Sequence, residues 1–210
     1  MKRGGEEMDE LISYICRHYD PCSIIVYGSY ADHTNGIDSD FDALVITNNQ
    51  QMSHETSIVD GVQLDVFVYP RAAIEKQPDL DEMIQIFDGV IVMDTDDLAR
   101  NLKQQVIDYL NAFSKKTEAQ LEEEIVWCRK MLARTKRPDA EGKFRLHWLL
   151  VDSLEIFCDR IGCRYLGPKK TLKWMHREYP QAYQIYEMAL FGRNEQALAD
   201  WIDYLSQVKP

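Results

Sequence analysis

The chain has 210 residues, 45% hydrophobic and 28% charged, with no low-complexity tract, enough for one large or two small buried cores. Its net charge of −11 is uneven: residues 1–97 hold 20 acids against 5 bases, and residues 98–210 hold 15 against 19. An acidic first half repels a phosphate backbone, which disfavours polymerase or RNA-tailing activity and any nucleic-acid partner.

Membrane insertion is not expected either. No run approaches the length needed to span a bilayer, and Met1-Lys2-Arg3-Gly4-Gly5-Glu6-Glu7 passes into an amphipathic helix rather than an apolar signal core, so a cytoplasmic protein is expected. Five cysteines, Cys16, Cys22, Cys128, Cys158 and Cys163, form no Cys-x-x-Cys pair and read as reduced, mostly buried thiols without assigned chemistry.

Residues 6–19 carry Met8, Leu11, Ile12 and Ile15 at helical spacing. Residues 22–27 are a short apolar, β-branched run that predicts a buried strand ending at Gly28-Ser29. A glycine there lets backbone N–H groups approach a phosphate closely. The following serine can add a hydroxyl or cap a helix, whose N-terminal dipole favours negative charge. The loop from Asp32 to Asp38 is followed by Asp40 and Asp42, which open a strand expected over 41–46. Residues two apart on a strand share a face, so the two carboxylates should converge, and their mutual repulsion calls for a cation between them. Mg²⁺ suits such hard oxygen donors.

Asp60-Gly61, after Thr56-Ser57-Ile58-Val59, is a hairpin signal leading into a strand over 62–69. Asp65 sits in the middle of that strand among valines, where β structure usually excludes an acid, and it is the third candidate ligand. A helix near 80–87 and a short strand over 90–93 complete a small α/β unit. Asp94-Thr95-Asp96 then reads as a helix cap, and helices are expected at 97–113, 117–135, 142–161, 168–178 and 181–207, the last broken near Gly192. The fold class expected is therefore α+β: a small mixed-sheet domain, residues 1–97, followed by a helical bundle, residues 98–210.

Gly28-Ser29, Asp40-x-Asp42 and Asp65, with the string Ser39-Asp40-Phe41-Asp42-Ala43-Leu44-Val45, resemble the pattern of the DNA-polymerase-β-type nucleotidyltransferase superfamily. Ala43 departs slightly from it. Tyr30 departs more, since many small relatives carry Arg after Gly-Ser. In layout the chain resembles the two-domain antibiotic nucleotidyltransferases that act on aminoglycosides and lincosamides.

The resemblance implies Mg²⁺-dependent transfer of a nucleoside monophosphate, AMP from ATP, to a hydroxyl of a small-molecule acceptor such as an aminoglycoside, with pyrophosphate leaving and antibiotic resistance as the outcome. By the same resemblance, Asp40, Asp42 and Asp65 are the catalytic, metal-holding residues of a two-metal site, and Gly28 and Ser29 cradle the nucleotide phosphates. The alternative is a minimal nucleotidyltransferase of antitoxin type that modifies or binds a protein partner. A homodimer is compatible with either.

Two further groups lie in the helical half. Lysines at the start of a helix oppose its dipole, so Lys169 and Lys173 after Gly167-Pro168 are candidates for binding the triphosphate. Trp148, Asp152, Glu155 and Asp159 share a helical stripe. With Glu122, Glu123 and Glu124 they are candidates for holding a polycationic acceptor or supplying a base. His33, His54 and His147 show no partner at triad or metal spacing.

Overall fold

Side-chain alternation across the strands dictates the layering of the first half. The computed structural model describes residues 4–48, 51–192 and 195–208, in two compact units, Met1–Ala112 and Phe113–Pro210. The fold is α+β, as the pattern predicts. In the first unit, helix α1 (Gly4–Tyr19) leads into β1 (Pro21–Tyr27), the single-turn α2 (Gly28–Ala31) and β2 (Phe41–Thr47). Three strands follow, β3 (Ser53–Glu55), β4 (Ile58–Val59) and β5 (Val62–Pro70), then α3 (Arg71–Lys76), a 3₁₀ turn (Ile84–Asp88), β6 (Val90–Asp94) and α4 (Leu98–Asn111).

The strand order is β3-β5-β2-β1-β6, with β4 paired to β5. β2 and β5 run parallel, and the remaining pairs are antiparallel. Odd and even positions of β2 and β5 serve opposite faces. Phe41, Ala43, Val45, Leu64, Val66 and Val68 join Leu11 and Ile15 of α1 in one core. Leu44, Ile46 and Tyr69 join Ile74, Ile86 and the Leu98, Ala99, Leu102 and Val106 face of α4 in the other. Because α4 packs on the sheet, the first compact unit runs through Ala112, past the division expected after residue 97.

Local chemistry explains where elements differ from expectation. Within the stretch expected to be helical at 80–87, the helical turn is the 3₁₀ segment Ile84–Asp88. The short helix α3 and strand β3 carry too few apolar residues to register as periodic. The cap of α4 is supplied from outside the helix. Its preceding residue, Asp97, is in the left-handed region at φ 56° and makes no side-chain cap, while the Asp94 carboxylate accepts the N–H groups of Ala99 (2.8 Å) and Arg100 (3.2 Å).

The second unit consists of α5 (Glu118–Thr135), α6 (Ala140–Arg160), α7 (Pro168–Glu178), α8 (Pro180–Gly192) and α9 (Glu195–Gln207). Trp201 is fully buried at its centre, and its indole N–H donates to Ser153 Oγ at 2.9 Å. Arg160 is only 3% exposed. It donates to Glu122 (3.3 Å) and to the carbonyls of Ser206 (3.3 Å) and Val208 (3.1 Å), which ties the end of α6 to the end of the chain.

Candidate functional site

The parallel register of β2 and β5 sets Asp42 directly opposite Asp65, and the antiparallel register of β1 and β2 sets Tyr27 opposite Asp42. Neighbouring strands are about 4.8 Å apart, so directly paired side chains share a face. Tyr27, Asp42 and Asp65 therefore stand together where the apolar row Leu44, Ile46, Phe67 and Tyr69 gives way to polar residues. The Tyr27 phenol registers this: burial, and then the two nearby carboxylate charges, push its pKa well up.

Gly28 abuts this pair. Its φ is +68°, and a Cβ added there would lie 3.1 Å from the Asp42 Cγ and closer still to its Oδ2. Both its left-handed backbone and its close approach to the carboxylate demand glycine. Ser29 is buried in the first turn of α2, and the helix shows no side-chain cap. Tyr30 belongs to the core: its hydroxyl donates to Glu7 at 3.1 Å, and its ring packs edge-on to Phe41. The position after Gly-Ser is thus an anchor for α2.

Asp40 behaves differently from its two companions. It is exposed and lies immediately before β2, which starts at Phe41. Among the described residues no group of three or more His, Cys, Asp or Glu side chains is arranged to hold a metal ion. The structure brings Asp42 and Asp65 together and leaves Asp40 in the preceding loop.

His54 is the residue that sequence reasoning missed. It lies on β3 opposite Phe67, its ring stacks on Phe67 at 4.2 Å between centroids, and its Nε2 meets Asp65 Oδ1 at 2.5 Å. Stacking fixes the ring plane and the hydrogen bond fixes the carboxylate, so Asp65 is held from the edge of the sheet.

The family described as nucleotidyltransferase domain matches residues 8–137, more than half of the chain. The chain belongs to the nucleotidyltransferase-domain family. No curated protein matches it in sequence. A solved structure of a nucleotidyltransferase-like protein from Exiguobacterium sibiricum is similar at 14% identity over 94% of this chain and 71% of that one, with a TM-score of 0.40. Family membership suggests transferase activity on a nucleotide substrate. Among the described residues no helix is long and apolar enough to cross a membrane.

Asp42 and Asp65 fit Mg²⁺ in kind. That ion takes hard oxygen donors, usually through one or two carboxylates, and completes its shell with water and phosphate. In the helical unit, Lys169 and Lys173 fall on α7, both exposed, and Pro168 occupies its first turn. The expected acidic stripe of α6 does not simply face solvent. Asp152, Glu155 and Asp159 line a cavity of about 510 Å³ together with Glu123, Glu124, Trp127, Gln120, Ile156 and Lys116.

Lys116 pairs there with Glu124 and, at 2.8 Å, with Asp159. Burial pushes the Glu124 carboxyl above its ordinary pKa, against the pull of Lys116. Glu122 turns instead toward Arg160, and Trp148 packs edge-on against Trp127 outside the set that lines the cavity.

Proposed function

We propose that the protein transfers a nucleoside monophosphate, AMP from ATP, to a hydroxyl of a small cationic acceptor of aminoglycoside type, releasing pyrophosphate. The first unit, Met1–Ala112, would be the catalytic domain and the second, Phe113–Pro210, the acceptor domain. The observation that carries the reading is the in-register pair Asp42 and Asp65 beside Gly28. Mg²⁺ held by these carboxylates, with Asp40 as a further ligand, would supply charge neutralisation at the phosphates and acidify the acceptor hydroxyl.

The chain's own groups do the positioning. The N–H groups of the Gly28-Ser29 turn face phosphate oxygens without an intervening Cβ, and Asp65, steadied by His54, accepts the hydroxyl proton. The carboxylates and Trp127 of the helical-unit cavity support a cationic acceptor: five acids against one lysine favour an ammonium-rich ligand, and the indole offers a cation–π face.

The test is incubation of the purified protein with ATP labelled in its α-phosphate, Mg²⁺ and a panel of aminoglycosides and lincosamides. Label on an acceptor with stoichiometric pyrophosphate is expected, and Asp42→Asn should reduce it to background while circular dichroism stays that of the wild type. Absence of transfer to every acceptor, or full activity in Asp42→Asn, overturns the reading.

A further inference from the structure

We propose that Cys158 and Cys163 are a paired-thiol modification site, which a hydroperoxide converts to a disulfide across the C-terminal end of α6. The geometry comes from the way the helix stops. Ile161 is its C-cap, Gly162 follows in the left-handed region at φ +71°, and two backbone hydrogen bonds close the end: Gly162 N–H to the Asp159 carbonyl at 3.0 Å and Cys163 N–H to the Cys158 carbonyl at 2.9 Å. This pair of bonds defines a Schellman motif, which brings the side chain two residues beyond the cap against the one three positions before it. Those two side chains are Cys163 and Cys158. Both are free thiols, set side by side by that motif.

The surroundings divide the labour between them. Cys158 is 1% exposed, and its pKa is pushed up, first because its S–H is held in the bond to Cys163 and then by burial. Cys163 is half-buried, and its pKa is lowered, first by that same donated hydrogen bond, with the Lys115 ammonium contributing in the same direction. Lys115 lies over the motif: a Cβ at Gly162 would sit 2.9 Å from its Nζ. A reachable thiolate beside a cation, backed by a second thiol, is the arrangement that peroxide-sensitive cysteines require.

The chemistry balances. The Cys163 thiolate attacks the terminal peroxide oxygen, an S–O bond forms as the O–O bond breaks, and the departing oxygen is protonated and leaves as water from hydrogen peroxide or as an alcohol from an organic hydroperoxide. The Cys158 sulfur then displaces hydroxide from the Cys163 sulfenic acid, forming the S–S bond, and the Cys158 proton converts that hydroxide to water. Two thiols lose two electrons in all, and the peroxide gains them.

The experiment treats the full-length native protein with hydrogen peroxide and counts free thiols after denaturation. A fall from five to three is expected, along with a tryptic cross-link joining peptides 146–160 and 161–164 that dithiothreitol dissolves. Cys158→Ser should stop at a Cys163 sulfenic acid trapped by dimedone. Cys163→Ser should lose both the cross-link and the fast phase of peroxide consumption. An unchanged thiol count, a cross-link involving Cys16, Cys22 or Cys128, or sulfenic acid trapped elsewhere while Cys163 stays reduced overturns the assignment. The wild-type peptide map decides the matter even where a variant folds poorly.

Discussion

Replacing Gly28 with alanine separates two costs that coincide at the candidate site. An L side chain in the left-handed region costs about 1–2 kcal/mol. Gly61, in the Asp60-Gly61 turn at φ +89°, isolates that cost, because a Cβ there meets nothing within 4 Å. At Gly28 the added Cβ also meets the Asp42 carboxylate, and forcing a close-packed neighbour aside costs about 1–3 kcal/mol more. The first unit runs from Met1 to Ala112, and at about 2.1 cal/mol/K per residue 1 kcal/mol shifts its midpoint by roughly 4 °C. Gly61→Ala should therefore lower Tm by about 4–8 °C and leave transfer activity intact.

Gly28→Ala should lower Tm by about 8–20 °C on the same scale and abolish transfer. Adding Asp42→Ala to it should recover the contact cost, about 1–3 kcal/mol, without recovering activity. Differential scanning calorimetry supplies the midpoints and pyrophosphate release supplies the rates. Equal midpoints for the two glycine variants, with no recovery in the double variant, would refute a glycine pressed against that carboxylate.

Two further predictions concern stability alone. Glu55 accepts hydrogen bonds from the Tyr19 hydroxyl and from the Ser57 N–H at 2.9 Å, and the first of these holds its carboxyl below the ordinary glutamate pKa. The folded value lies under the unfolded one, so this stabilisation is present above the unfolded pKa and disappears as pH falls through the folded value. Tyr19→Phe should lower the urea midpoint at neutral pH, and the two proteins should converge as the carboxylate range is crossed; a difference independent of pH would count against it. Thr117 and Gln120 form a capping box at the start of α5, so Thr117→Ala should cost the helical unit about 1 kcal/mol in urea unfolding, and an unchanged midpoint would show the box to be idle.

The legible parts of the fold are those where one period dominates. The alternation in β2 and β5 marks two buried faces and makes Asp42 and Asp65 conspicuous, since each interrupts an apolar row. The Asp60-Gly61 signal works for a local reason: both residues have positive φ, 51° and 89°, as a tight hairpin turn requires. His54 was invisible because β3 is three residues long and polar, so its pairing with β5 comes from tertiary contact. β2 begins at Phe41, where the apolar run predicts it, and Asp40 lies one residue before it.

The stripe on α6 shows the same limit from the other side. Spacing alone places Asp152, Glu155 and Asp159 on one face, and an isolated helix would turn that face to water. Asp159 is nevertheless 8% exposed. A carboxylate removed from water to that degree is costly unless paired, and the partner, Lys116, comes from the segment just before α5, beyond the reach of any helical period. Lys116 is shared with Glu124, so one ammonium answers a buried acid and a half-buried one, and the cavity retains an acidic excess from Glu123, Asp152 and Glu155. That excess arises from how α5 and α6 pack rather than from the charge pattern of either helix.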